Sequence, residues 1–447
     1  MAVSSFYGLQ TSLRGLLAQQ TLLDTTGHNI SNASTEGYSR QKVNLAASPA
    51  LQVSTQGSVN PTGHLGSGVD VTGFTRVRDR FLDTQYRAQN TGLQEQKARA
   101  DGLNGAELSL AEPGDSGVSA ALDKFWTAWG NLTKSPDDAS AKQALVSTGA
   151  ALTDSIQSVR SQMVAAQTDA QAQYDSITGP QGDIAQAATE LAGLNKSIAS
   201  YLVNGDSPND LMDRRDQLLD QLSGYGQISV EQLPSGSTNV SFVDSSTGTT
   251  YPIVADQTAS WTAPTGDWNP SGQLGGLMSI AKSPGGAIDG YLNTLDSFAS
   301  ALAGTVNTAY QGTFFTAGTP AAGTIQVSSA LQAAPAGLVS GSGAAGSNDI
   351  ALAVSQLRGS ASVDGVYKAF VSKVGSDVSN AQRLEANAQV LTNSAQDRRQ
   401  SVAGVSMDEE MSNLVQFQRA YQASSRAMST MDEMLDVLIN RTGKVGL

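Results

Sequence analysis

Residues 405–439 constrain the fold more than any other stretch, because a long uninterrupted amphipathic helix has to find a partner. From Gly404 the chain reads GVSMDEEMSNLVQFQRAYQASSRAMSTMDEMLDVLI, with no Pro, and no Gly after Gly404. Met407, Met411, Leu414, Phe417, Tyr421, Met428, Met431, Leu435 and Leu438 recur at steps of three or four, apart from one gap of seven where Ser424 takes the seam position. This spacing predicts a helix with a stripe close to a coiled-coil seam. Ser406, followed by Asp408, Glu409 and Glu410, predicts its start, since a hydroxyl can cap free amides and acid suits the positive end of the helix dipole. Arg441, Thr442 and Gly443 predict its end.

The first stretch mirrors the last. Phe6, Leu9, Leu13, Leu16, Leu23 and Ile30 lie on one heptad seam, with Gln20 and Gly27 in its other two positions, which predicts a helix over 4–31. Two terminal stripes separated by nearly the whole chain predict one antiparallel coiled coil, with the middle as a long insertion. Burying about nine side chains recovers less than ordering about 35 residues costs, so an isolated pair is marginal and neighbouring subunits are expected to supply further contacts.

The 447 residues suffice for two or three domains with cores of their own. Lys plus Arg is 27 against 40 Asp plus Glu, and the net charge of −13 argues against binding nucleic acid. With no Cys, disulfides, thiolate nucleophiles and Cys-ligated metals are excluded. No run of 18 apolar residues predicts a membrane span, and the start lacks the basic and apolar regions of a cleavable signal peptide. Secretion, if it occurs, is expected by another route.

After the first helix, the Asn, Ser, Thr and Gly of residues 28–37 predict a tight turn, and Val43 and Leu45 a short strand. Residues 46–64 read as loop, and 65–81 as extended, with alternation at Val69, Val71 and Val77. GHNISNASTEGYSRQ and GSGVDVTGFTRVRDRFLDTQYR, behind a leading heptad helix, closely resemble the axial proteins of the bacterial flagellum, the rod, hook and hook-associated proteins. The last helix resembles that family's shared ending, and Asn29, Asn32, Gly37 and Tyr38 fall in its turn motif.

From about residue 82 to 223 helical spacing dominates. Leu122, Phe125, Trp129 and Leu132 keep it, SPDD at 135–138 predicts a cap, and Ile184, Ala187, Leu191, Leu194, Ile198 and Tyr201 form a heptad. Another helix is expected from Asn209, completing a bundle of long antiparallel helices. FWTAWGNLTKSPDD, NDLMDRRDQLLDQLS, GQLGGL and SNDIALAVSQL resemble the hook-associated branch of the family; rod and hook proteins lack such a helical middle. Residues 226–272 predict a small antiparallel β domain with turns at Pro234–Gly236 and Ser245–Gly248. Ile288, Leu292, Leu295, Phe298 and Leu302 share a helix face, 313–348 is mostly loop with room for a hairpin, and 347–357 is a short capped helix. Phe370, Val374, Val378, Ala381, Leu384 and Leu391 mark a long return helix over 362–400.

The fold expected is mainly α with a small β insert. It comprises a terminal coiled-coil domain (1–33 plus 405–447), a helical bundle with short strands (34–225 plus 273–404) and an inserted β domain (226–272).

Chemical signals are weak. GSGAAG at 341–346 fits G-x-G-x-x-G, with Asp364 beyond it, but Pro335 and Gly337 break the strand that a dinucleotide site needs. It reads as a loop whose Ser347 and Asn348 cap a helix. His28 and His64 sit in no hydrolytic or zinc motif. Asp206, Asp210, Asp213 and Asp216 lack the spacing of a calcium loop, and helix ion pairs with Arg214 and Arg215 are expected instead.

The resemblance implies a structural junction between flagellar hook and filament, with no catalytic site, metal or cofactor. It also implies terminal helices in an inner tube with copies of themselves, the bundle outside them, and the β insert at the surface. The partners implied are the chain itself, the hook protein, hook-associated protein 3 and an export chaperone on the last helix, with type III export to the cell exterior. The alternatives are a secreted adhesin or surface-layer protein with a coiled-coil stalk, and a surface hydrolase, which needs a catalytic cluster in 226–346 where none is found.

Overall fold

The computed structural model describes residues 6–53, 63–343, 345–437 and 439. The chain opens with α1 (Tyr7–Ser31), then β1 (Gln41–Ala47), β2 (Leu51–Val53), β3 (Gly63–Leu65) and β4 (Val69–Arg76). Strand β1 pairs antiparallel with β4, and β2 with β3, in one long hairpin. The register slips between Asn44 and Leu45, and Gly73, opposite Asn44, has φ of 146°. A bulge there needs the backbone freedom of glycine.

Five helices follow: α2 (Arg80–Leu108), α3 (Val118–Leu132), α4 (Ala139–Thr178), α5 (Asp183–Val203) and α6 (Asn209–Tyr225). Asp138 of the SPDD segment caps α4, accepting from Ser140 N at 2.8 Å. The β insert comes next, as β5 (Ile228–Gln232), β6 (Thr238–Val243), β7 (Thr250–Ala255) and β8 (Thr258–Ala259), an antiparallel sheet in sequence order. Its turns carry Gly236 and Gly248, both at positive φ. Buried Val240, Phe242, Ile253 and Val254 face the bundle, and Asn195 Nδ2 of α5 donates to Thr238 O at 2.8 Å.

Helices α7 (Gly272–Ala281) and α8 (Ala287–Tyr310) return to the bundle. The loop region then holds β9 (Phe315–Thr316) paired with β10 (Gln326–Val327), and the short helices α9 (Ala321–Thr324), α10 (Ser329–Ala333) and α11 (Asp349–Ser355). Helix α12 (Asp364–Ala403) runs back antiparallel along α2: Thr392 Oγ1 donates to Gln89 O at 3.1 Å, and the Arg399 guanidinium lies 3.9 Å above the Tyr86 ring. The last described helix is α13 (Met407–Asp436).

One apolar core spans the body, from Ala98 on α2 to Ala381 on α12. Phe125 and Trp129 of α3 pack on Phe314, and Ile288, Leu292, Leu295, Phe298 and Leu302 of α8 are all buried, as their spacing predicted. None of the described residues of α1, α13 or the first hairpin belongs to that core.

Some local expectations are corrected. In α5, Ile184, Leu191 and Ile198 are buried but Tyr201 is exposed. In α12 the stripe from Phe370 to Ala381 is buried, whereas Leu384 and Leu391 are exposed, because that half of the helix seats Thr392 and Ala395 against α2 instead. Ser406 precedes α13 without a side-chain cap; its carbonyl accepts from Glu410 N. Asn348 does not cap α11 but donates to Thr133 O at 2.7 Å, and Ser347 donates to Asp349.

Candidate functional site: the terminal coil and its joint to the body

The two chain ends form one antiparallel pair. Gly8 lies against Met431, Gly15 against Ser424, and Asn29 donates to Glu410 Oε2 at 3.2 Å, so partner numbers fall along α13 as they rise along α1. On α13 the face turned to α1 follows the expected stripe: Leu414, Phe417, Tyr421, Ser424, Met428 and Met431 are half-buried and Leu435 is buried. Met407 and Met411 are exposed, and the buried side chain of that first turn is Glu410. Leu438 lies outside the described residues.

On α1 the buried positions are Ala18, Thr26 and Asn29, not the apolar stripe. Leu9, Leu16, Leu23 and Ile30 are half-buried, and Phe6, Leu13 and Leu17 are exposed. The cause is a second neighbour. The hairpin grips the other flank of α1, with Tyr7 Oη donating to Leu65 O at 2.9 Å and Arg14 paired to Asp70 at 3.0 Å. This turns Gly8 and Gly15 toward α13. Small residues there let the backbones approach while much of the leucine stripe stays open to solvent.

The turn motif builds the joint. Asn29, 2% exposed, donates through Nδ2 to Gln41 O at 3.0 Å and accepts on Oδ1 from Tyr38 Oη at 2.7 Å and Gln41 N at 2.9 Å. Asn32 Nδ2 donates to His28 O at 3.0 Å, closing the end of α1. Gly37, at φ 79°, brings the turn against Gln217 of α6. Burial, followed by the charges of Asp210, Asp213 and Glu410, pushes the Tyr38 phenol up, which keeps it a hydrogen-bond donor.

Arg40 joins the coil to the body. Its Nε donates to Glu410 Oε1 at 2.7 Å, and its two terminal nitrogens fork onto Glu409 at 3.0 and 2.9 Å. Its main-chain N donates to Ala403 O, at the end of α12, and its carbonyl accepts from Val77 N. One residue thus ties α13, α12 and the hairpin together. A second set of ion pairs lies just inside: Arg76 on Asp213 and Asp216, Arg78 on Asp83, and Arg87 on Asp220, each at 2.7 Å, with Arg399 also on Asp220.

These pairs correct the expectation for the aspartates of α6. Asp213 and Asp216 pair with arginines of the hairpin and α2, while Arg214 pairs with Glu190 and Arg215 donates to Gly236 O. The Arg40–Glu410 pair and the Arg76–Arg78 set are not among the contacts expected from the sequence. The signals were present: Arg76 and Arg78 share one face of an extended segment, and Asp213, Asp216 and Asp220 share one face of a helix. Among the described residues no three His, Asp or Glu are placed to hold a metal ion, and no helix is long and apolar enough to cross a membrane.

Comparison with known proteins agrees with an architecture organised by its two ends. The family described as "Flagella basal body rod protein" matches residues 9–38, and "Flagellar basal body rod FlgEFG protein C-terminal" matches 396–441. The terminal coil therefore defines an axial structural protein of the bacterial flagellum. Between the ends, "Flagellar hook-associated protein FlgK helical domain" matches residues 103–323. Flagellar hook-associated protein 1 of Bacillus subtilis is 29% identical over 99% of this chain and 99% of its own length. Its counterpart in Salmonella typhimurium is 29% identical over 56% of this chain and 42% of its own length. Over nearly its whole length the chain is similar to flagellar hook-associated protein 1. The solved flagellar hook junction protein FlgK of Burkholderia pseudomallei overlays with a TM-score of 0.44 at 20% identity, over 53% of this chain and 47% of that one.

Proposed function

We propose that the chain is a structural, non-enzymatic subunit of the hook–filament junction, acting outside the cell after export through the flagellar apparatus. The observation that carries this reading is the terminal coil: it stands outside the body core and leaves Phe6, Leu13, Leu17, Met407 and Met411 exposed. Apolar side chains left open at both ends of a coil that lies outside the core suit a docking role. In this reading the coil is one module, the helical body a second and the β insert a third. The seam residues of α1 and α13 pack against further copies of this chain, with the hook protein on one side and hook-associated protein 3 on the other. Before assembly an export chaperone covers α13, helix in groove. The Arg40 joint fixes the angle at which the body stands on the coil.

The test is a motile strain carrying this chain. Leu435→Asp places a charge at a buried seam position and is expected to be exported without filaments forming, whereas Gln422→Glu, at an exposed position, swims normally. Normal filaments on Leu435→Asp would remove the seam from the assembly. For the chaperone, a chain ending at Gly404 is expected to lose capture that the full chain shows; equal capture of both places the site elsewhere.

A further inference from the structure

Arg76, Arg78, Arg87 and Arg399 share Asp83, Asp213, Asp216 and Asp220, one carboxylate for each guanidinium. Beside this network, Arg76, Arg78, Arg87, Asp83 and Asp216 line a cavity of about 470 Å³ between β4, α2, α6 and the β insert, and two more arginines, Arg80 and Arg215, line it with them. Neither has a carboxylate partner among the described residues. Arg80 is exposed at the cavity edge. Arg215 is 2% exposed; one terminal nitrogen donates to Gly236 O at 2.7 Å, and its Nε is buried without a hydrogen-bond partner.

A guanidinium stays charged in a protein, and burying that charge unpaired is costly. Arg215 feels this: burial, and then the like charges of Arg76, Arg87 and Arg80, outweigh Asp216 and make its protonated form less favourable than usual. The excess of two positive charges sits in a chain whose net charge is −13, so it is local.

We propose that the cavity is a binding site for one oxyanion, a phosphate, sulfate or carboxylate group, held between the Arg80 and Arg215 guanidiniums. The planar fork of a guanidinium suits such a group, and the neutralised pairs around it leave these two as its donors. The same chemistry can come from a free ion or from an acidic side chain of a second copy of this chain. The inference does not depend on the junction reading.

The probe is inorganic phosphate, titrated into the full chain held monomeric by dilution, with chloride at matched ionic strength to remove plain screening. Saturable one-to-one binding and a phosphate-dependent rise in Tm are expected. Arg80→Gln, an exposed change that leaves the fold intact, is expected to weaken phosphate roughly tenfold, as loss of one charge-assisted bond does. Arg215→Met is expected to abolish the Tm shift and to melt no lower than the wild type does without phosphate. Absence of saturable binding beyond the chloride control, or full affinity in both variants, overturns the proposal. The source is read from the assembled chain. If assembly displaces phosphate in the wild type, a neighbour's carboxylate occupies the site; if affinity is unchanged, the ligand is the free ion.

Discussion

Glu410 illustrates how much one residue holds at the joint. Its side chain is 2% exposed, and its two oxygens accept separately from Arg40 Nε and Asn29 Nδ2. Removing the carboxylate leaves Arg40 Nε and Asn29 Nδ2 without their acceptor, which costs about 1–3 kcal/mol, while Glu409 still balances the Arg40 charge. Glu410→Ala is therefore expected to speed amide exchange in α1 and α13 while α8 keeps its protection; unchanged exchange at both ends would show that the joint is not anchored there. Asp216 sets a pH dependence. Burial alone pushes its carboxyl up, but the guanidiniums of Arg78, Arg76 and Arg87 outweigh this and hold it below the ordinary range. Between that depressed value and the unfolded one, near 3.9, the unfolded chain binds more protons. The stabilisation is thus complete above the unfolded pKa and is lost as pH falls through the folded one. Asp216→Asn is expected to be less stable at pH 7 and to lose less further stability on acidification below about pH 4. Parallel acid titrations of wild type and variant, followed by ellipticity, would contradict this.

Elements differ in how far the sequence exposed them. The stripe of α8 and the body half of α12 were legible because several neighbours bury them, so apolar periodicity reports packing directly. The α13 stripe from Leu414 to Leu435 was legible because it marks the face turned to α1, although α1 alone leaves most of it half-buried. The α1 seam was not, because a stripe records apolar residues and not which of two flanking elements claims the helix. The hairpin takes one flank, and the face left for α13 carries Gly8 and Gly15. Arg40 and Glu410 were equally hidden: 370 residues separate them, and no local spacing announces a pair closed by the meeting of chain ends. The glycine face gives a test. A Cβ at Gly15 would lie 3.5 Å from Ser424 Oγ, an ordinary contact. Gly15→Ala is expected to stabilise the coil by about 0.5–1 kcal/mol through helix propensity, while Gly15→Leu forces the helices apart and lowers the coil's melting temperature. Equal melting of the two variants would mean that the helices do not pack through this face.

At the scale of the whole molecule, the distribution of apolar burial divides the stability. The body has a continuous core reaching from α2 to α12, whereas the terminal coil contributes none of it and is held by a seam, a polar joint and ion pairs. Local stability follows buried apolar contact, so the coil is expected to open at a lower free energy than the body. Helices Tyr7–Ser31 and Met407–Asp436 should exchange their amides well before Ala287–Tyr310 in dilute monomer, and heating should remove their helicity in a separate, earlier step. If the apolar side chains that the coil leaves exposed form an assembly surface, raising the protein concentration should slow exchange at both ends together and leave the body unchanged, because association stabilises only the state that binds. Exchange mass spectrometry across a concentration series, with sedimentation to fix the oligomeric state, separates the cases. Protection of both ends equal to that of the body in a verified monomer would show that the coil needs no neighbours. Early opening that concentration does not slow would show that the coil is weak without being an assembly surface.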